Sequence, residues 1–318
     1  MLGSPSTSNP APLLRIDVEG REHYLARGRV SLLPVDLREA SRLDKLHDTI
    51  YQAVLQSRLH ITELNVQPDF RVLDVAYGTA LWLAAMRVAY PKSMTLVGID
   101  HTIFETSFTQ TEQERWNIDL FSPVDYNDET WNPLVPEHFD FVHMSNLSAG
   151  VRDWSKLLQT AHRYCKPSTG KIELVLMDWQ PQSHDKTLFP EAGKAMLYWY
   201  ADLMKATTEL GLSIAYPHDI GELLQLAGFV DVGCANVRIP MCEGRLDSYE
   251  QQIANEFRIA MGSDPLAYQG RSLVPTQHFQ AYQGMSMVPF TQHFQVRRIC
   301  RRVVFDVGLE GDTLLMLL

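Results

Sequence analysis

The sequence predicts an α/β fold: a doubly wound, mostly parallel, seven-stranded sheet with an N-terminal helical extension and a C-terminal helical and loop insertion. Three observations carry that expectation. Between residues 67 and 180, short apolar runs alternate with helical patterns, the layout of βαβ units. The run at 70–75 contains Asp74 and passes into Ala76-Tyr77-Gly78-Thr79-Ala80, a glycine turn that opens a helix. A parallel sheet presents a ligand site in this way, as strand end, tight turn and helix N-terminus. Roughly twenty residues past Gly78, the spacing such a unit needs, a second apolar run at 94–100 ends in Asp100. An ionised carboxylate at that place accepts two hydrogen bonds and suits the paired hydroxyls of a ribose.

The elements follow in order. Residues 1–30 read as a flexible tail and entry segment, with a short hairpin around Glu19-Gly20. Residues 1–12 have neither a basic stretch nor an apolar core, so they are not a signal peptide. Residues 31–66 form a helical cap: from Asp36, the residues Leu37, Ala40, Leu43, Leu46, Ile50, Val54 and Leu59 recur as one apolar stripe. The core, 67–180, then alternates. A strand at 70–75 leads to a helix at 79–89 that Tyr90-Pro91 ends. A strand at 94–100, a short helix at 106–114 and a strand at 116–121 follow. Val124-Asp125-Tyr126-Asn127 is turn chemistry. A strand at 139–144, a helix at 154–165 capped by Asp153, and a strand at 171–178 complete the core.

Residues 181–318 supply substrate-side helices and the last strands. Helices are expected at 191–210, 221–227 and 248–261, and strands at 229–239 and 296–307. Residues 267–280 (AYQGRSLVPTQHFQ) and 281–295 (AYQGMSMVPFTQHFQ) are a tandem copy with one extra phenylalanine. Two copies are too few for a solenoid and read as a local duplication.

Composition narrows the function. The 318 residues are 45% hydrophobic and 21% charged, ordinary for a globular protein. The net charge of −10, with basic residues clustered only at Arg297-Arg298 and Arg301-Arg302, argues against nucleic acid as a direct partner. No run approaches 18 apolar residues, so no membrane span is expected. Cys165, Cys234, Cys242 and Cys300 have no metal-ligand spacing and read as reduced thiols of a cytoplasmic or nuclear protein. No Ser-His-Asp order, paired carboxylates or phosphate-binding lysine loop appears.

Several short motifs, taken together, resemble a known family. They are the turn after Asp74, the acid Asp100, Phe139-Asp140-Phe141-Val142-His143, Asp125-Tyr126 with Trp131, Gly150-Val151-Arg152-Asp153-Trp154, and Lys166-Pro167. Upstream lie Leu33-Pro34-Val35-Asp36 and Arg42-Leu43-Asp44-Lys45-Leu46-His47. In this order they resemble class I methyltransferases dependent on S-adenosyl-L-methionine (SAM), and more narrowly the fungal LaeA-like group of secondary metabolism. The resemblance spans roughly residues 30–180. It implies a Rossmann-like methyltransferase fold, SAM as cofactor and a small-molecule substrate. It also implies a cofactor site at Asp74, Ala76, Tyr77, Gly78, Asp100, His101, Asp125, Tyr126 and Met144. His143 and His184, at or beyond expected strand ends, are the candidate catalytic bases.

Such families carry three glycines in the turn. Here Gly78 is the middle one, and Ala76 and Ala80 stand at the outer two. If the backbone needs φ > 0 at those positions, alanine costs about 1–2 kcal/mol at each. The departure leaves two further readings: a protein of this fold redirected to a non-methylating step such as cyclisation or rearrangement, or a regulatory protein.

Overall fold

The computed structural model describes residues 14–236, apart from 19, 27–28, 32, 52–54, 56, 91–93, 103, 105–116, 123, 148–149, 181–190, 213 and 216, together with residues 313–317. The entry segment is a small antiparallel sheet of β1 (Leu14–Val18), β2 (Arg21–Ala26) and β3 (Arg29–Val30). Gly20, at φ 80°, makes the β1–β2 turn, where its N–H donates to Asp17 Oδ1 at 3.0 Å. The expected hairpin is therefore present and gains a third strand.

Asp36 caps α1 (Leu37–Thr49) by accepting from Glu39 N, and the Arg21 guanidinium grips the same carboxylate with bonds of 2.5 and 2.9 Å. A forked pair of this kind fixes orientation as well as charge. The helix is shorter than its apolar stripe implies. Beyond it, Leu55 N donates to Ile50 O, an i→i−5 bond wider than that of an α-helix, Leu55 is buried, and Ser57 takes φ 61°.

The main sheet contains β4 (Arg71–Val75), β5 (Thr95–Ile99), β6 (Ile118–Phe121), β7 (Phe141–Ser145), β8 (Lys171–Leu176), β9 (Val232–Asn236) and β10 (Thr313–Leu317). Its order is β6-β5-β4-β7-β8-β10-β9, and every recorded pairing is parallel. The last strand thus lies at Thr313–Leu317. The expected strand at 296–307, the helices at 106–114 and 248–261 and the tandem copy at 267–295 fall outside the described residues.

Central strands are buried on both faces, which is why they read as continuous apolar runs rather than alternating ones. On one face, α2 (Leu81–Ala89) sends Trp82, Leu83 and Met86 onto Val72, Leu96, Ile118 and Phe141. On the other, α3 (Trp154–Tyr164) and α5 (Ile220–Ala227) cover Leu73, Val75, Val142, Met144 and Leu174. The remaining helix, α4 (Glu191–Glu209), follows β8 in the chain. Among the described residues no helix is long and apolar enough to cross a membrane.

From β4 the chain winds outward through β5 to β6, then returns to place β7 and β8 on the other side of β4. The direction of winding reverses between β4 and β7, and in such sheets the ligand crevice opens at that seam, beyond the carboxyl ends of the strands.

The loops above the seam are held by Gly150-Val151-Arg152-Asp153-Trp154, each residue for its own reason. A Cβ on Gly150 would lie 1.8 Å from the Tyr126 hydroxyl. Val151 is fully buried, Arg152 reaches Asp125 Oδ2 at 2.7 Å, Asp153 caps α3 through Lys156 N, and Trp154 enters the core. Gly150→Ala is therefore expected to destabilise the fold by about 1–3 kcal/mol, as overpacking does. Adding Tyr126→Phe removes the nearest atom and should restore part of that loss. Equal unfolding free energies for Gly150→Ala with and without Tyr126→Phe would contradict the contact.

Candidate functional site

The turn after β4 carries the site. Ala76 N donates to Ile99 O at 2.7 Å, and Ala80 N to Tyr77 O at 2.9 Å. Ala76, Gly78 and Ala80 have φ of 62°, 54° and 63°. All three positions at which the resembling family carries glycine therefore keep a left-handed backbone, two of them with alanine. The condition set by the sequence is met, and each alanine bears a strain of about 1–2 kcal/mol. Ala80 is also the N-cap of α2 and offers no side-chain acceptor, so the helix presents uncapped N–H groups beside the turn. A Cβ on Gly78 would meet nothing within 4 Å, so open space adjoins the turn at its centre.

Asp100, 3% exposed, stands across from this opening. Its Oδ2 accepts from Gly78 N at 2.9 Å, and its Oδ1 from Thr102 N and Thr102 Oγ1 at 2.9 and 3.0 Å. A carboxylate offers about four acceptor positions. Three are used within the protein, which leaves room for about one ribose hydroxyl rather than the expected pair. Tyr77 hydrogen-bonds Ser122 Oγ at 2.7 Å, and burial together with the Asp100 charge holds its phenol protonated. His101 is partly exposed and meets the Tyr126 ring edge-on at 5.2 Å.

Asp125 accepts from Asn127 N, Asn127 Nδ2 and Arg152. Burial raises its pKa, but these hydrogen bonds and the Arg152 charge outweigh burial and leave the carboxyl below its ordinary range. Tyr126 is buried under Gly150 and His101, so it supports the loop from beneath instead of offering an open stacking face. Trp131 locks the same loop by donating to Tyr126 O at 3.1 Å and stacking on Tyr164.

Two expectations need correction. Met144 is fully buried in the core on the α3 side, where strand alternation puts its side chain, and it offers no open contact face. His143 is 2% exposed, so it is no open catalytic base. Its Nδ1 lies 2.8 Å from Asp74 Oδ1, and the Trp82 ring stacks on it with centroids 3.8 Å apart. Burial raises the pKa of Asp74, and the bond to His143 opposes that. His184 lies outside the described residues.

Three further groups adjoin the site: Asp44 and His47, which the sequence offers within the motif at 42–47, and Glu173, which sequence reasoning missed. Asp44 of α1 accepts from Thr79 Oγ1 at 2.5 Å, which ties the cap to the turn. His47, three residues on and so on the same helix face, stacks on Tyr51. Burial, then the charge of His143, lowers its pKa to about 4, so it is neutral near pH 7. Glu173 of β8 is completely buried and accepts from Ile61 N and Thr62 N at 3.0 and 2.7 Å. The signal for Glu173 was legible: one acid inside an otherwise apolar run needs a buried partner.

This geometry suits a nucleoside-containing cofactor: a glycine-type turn beside open space, a buried acid across from it, and an uncapped helix start. A family model described as a methyltransferase domain matches residues 19–233, well over half of the chain. The chain belongs to the methyltransferase domain family. Membership makes SAM the cofactor, and the buried acid and open turn fit it. Among curated relatives, the chain is 29% identical over 244 residues to the secondary metabolism regulator LAE1 of Cochliobolus heterostrophus, covering 76% of each chain. It is 26% identical to the methyltransferase pytC of Aspergillus terreus, covering 70% of this chain and 64% of that one. A solved SAM-dependent methyltransferase from Aquifex aeolicus is 19% identical, with TM-score 0.38, over 60% of this chain and 89% of that one.

Two outcomes test this methyltransferase-type site. Ala76→Gly relieves the left-handed strain, offset in part by the greater backbone freedom of glycine when unfolded. A net gain of up to about 1 kcal/mol, or roughly 2–4 °C in the thermal midpoint, is expected; a lower midpoint would contradict a positive φ at residue 76. His47 has a folded pKa below its unfolded value, so the unfolded chain binds more protons between about pH 6.5 and 4. The stability this group contributes is full above pH 6.5 and is lost as pH falls through that window. His47→Gln should lose less stability than the wild type from pH 7 to pH 4 in denaturant titrations.

Proposed function

We propose that this protein is an active SAM-dependent methyltransferase that methylates a small molecule of secondary metabolism at oxygen or nitrogen. The observation that carries the reading is the turn itself: three left-handed residues at the β4–β7 seam, two of them alanines that keep this backbone despite the strain, with Asp100 across from them. Strained backbone of this kind clusters at ligand sites, where the surrounding structure over-determines it.

SAM supplies a sulfonium methyl group, already activated for displacement. The protein's part is to hold the donor, aim the acceptor and keep water out. Gly78 would give the donor close access to the backbone, and Asp100 would accept a ribose hydroxyl with its remaining lone pair. Asp125, fixed by Arg152 and Asn127, would face the adenine. On the acceptor side, α1 brings Asp44 and His47 over the turn through the Asp44–Thr79 bond. A neutral His47 imidazole can accept a hydrogen bond from the methyl acceptor, while a pKa of about 4 leaves it a weak base.

The relatives named as secondary metabolism regulators support a second reading, in which the methyl acceptor is a protein and the role regulatory. Methyl-labelled SAM, incubated with the purified chain and either a small-molecule extract or a protein extract, separates the two. Label in the organic fraction supports the first reading and label in protein the second. Asp100→Asn keeps the shape of the side chain and removes its charge. We expect it to weaken binding of S-adenosylhomocysteine (SAH) at least tenfold in calorimetry, and also to lower apo stability by about 1–3 kcal/mol, because its amide N–H meets a donor from Gly78 or Thr102. Unchanged affinity would move the ribose site elsewhere.

A further inference from the structure

The Asp74–His143 bond is one part of a longer arrangement. Asp74 of β4, His143 of β7 and Glu173 of β8 are register partners on three adjacent parallel strands, and therefore share a face. That face is the α2 side, where their neighbours two residues earlier, Val72 and Phe141, pack against Trp82. All three polar residues are 3% exposed or less. Buried charges persist only when paired or hydrogen-bonded.

Each end of the row holds a different segment. Asp74 stands two residues before Ala76, at the start of the strained turn. Glu173 Oε2 accepts the backbone N–H groups of Ile61 and Thr62, and next to them His60 bridges Thr62 O and the Tyr90 hydroxyl. Trp82, stacked flat on His143, donates its indole N–H to Leu59 O at 2.8 Å. The row thus runs from the turn, across the seam at which the sheet reverses its winding, to the segment that follows α1.

We propose that His143 is a positioning residue: its Nδ1–H orients the Asp74 carboxylate across the β4–β7 seam and so holds the turn at residues 76–80 in its donor-binding shape. The role rests on the methyltransferase reading above and deepens it. His143 touches neither donor nor acceptor; the Trp82 stack fixes the plane of its ring, and the bond to Asp74 fixes which nitrogen faces the carboxylate. With Nδ1 spent on a carboxylate, which only accepts when ionised, the proton sits on Nδ1. Glu173 lies on the other flank of His143, so the imidazole separates two carboxylates that would otherwise face one another.

The test uses the full chain and SAH as the probe. Asparagine places its amide donor where Nδ1–H stands, whereas glutamine places it nearer to Nε2. His143→Asn should bind SAH within about threefold of wild type, and His143→Gln and His143→Leu should bind at least tenfold more weakly. A purely structural histidine would give losses that follow thermal stability and ignore donor position. Equal affinities for Asn and Gln, or an Asn variant as weak as Leu, overturn the proposal. In case the variants do not fold, a long-range ¹H–¹⁵N spectrum of the wild type decides: His143 protonated on Nδ1 supports it, and the Nε2 tautomer overturns it. Failure of the wild-type chain to bind SAH is a different result, because it overturns the functional reading itself and takes the donor-binding role of His143 with it.

Discussion

The hydrogen bond from His143 to Asp74 joins the two strands between which the sheet changes its direction of winding. Every ligand-side feature of the protein stands on one flank of that bond or the other. On the β4 flank are the turn, Asp100 and the start of α2; on the β7 flank are the Gly150 loop and its clamp on Asp125. Both partners are buried, so losing either leaves a polar group in an apolar interior, at a cost of about 1–3 kcal/mol or more. The seam is thus held where the crevice must open.

Strain and support are set against each other around this seam. Ala76 and Ala80 keep a backbone shape that alanine disfavours. The shape survives because neighbouring bonds over-determine it: Ala76 N to Ile99 O, Gly78 N to Asp100, Thr79 Oγ1 to Asp44. Two of these come from β5 and its end and one from the N-terminal cap, so the turn depends on elements distant in sequence. The alanine substitutions therefore need not remove the cofactor site, provided the cap stays docked.

Much of the fold was legible in the sequence because its signals are local. Apolar runs and their acidic ends located β4, β5, β7 and β8 to within one to three residues at most ends, and Asp36 and Asp153 announced their caps. Other features were not local. The apolar stripe of α1 ran on past the helix end, because Leu59 packs on the core from the segment that follows, where burial has no helical period. Met144 and His143 are adjacent in sequence yet point to opposite faces, and the sequence alone did not say which face the ligand side would use. Asp125 and Tyr126 were read as ligand contacts, and the sequence did not show that Arg152 and Gly150, a loop away, also engage them. The Asp44–Thr79 and Glu173–Thr62 bonds span 35 and 111 residues, and no spacing rule reaches that far.

A crystal structure of the full chain grown with SAH tests the central claim most directly. The account predicts adenosine against Gly78 and Asp100, with Ala76 and Ala80 still at positive φ and His143 still bonded to Asp74. SAH bound away from this turn, or a turn that flips to negative φ around it, would contradict the account.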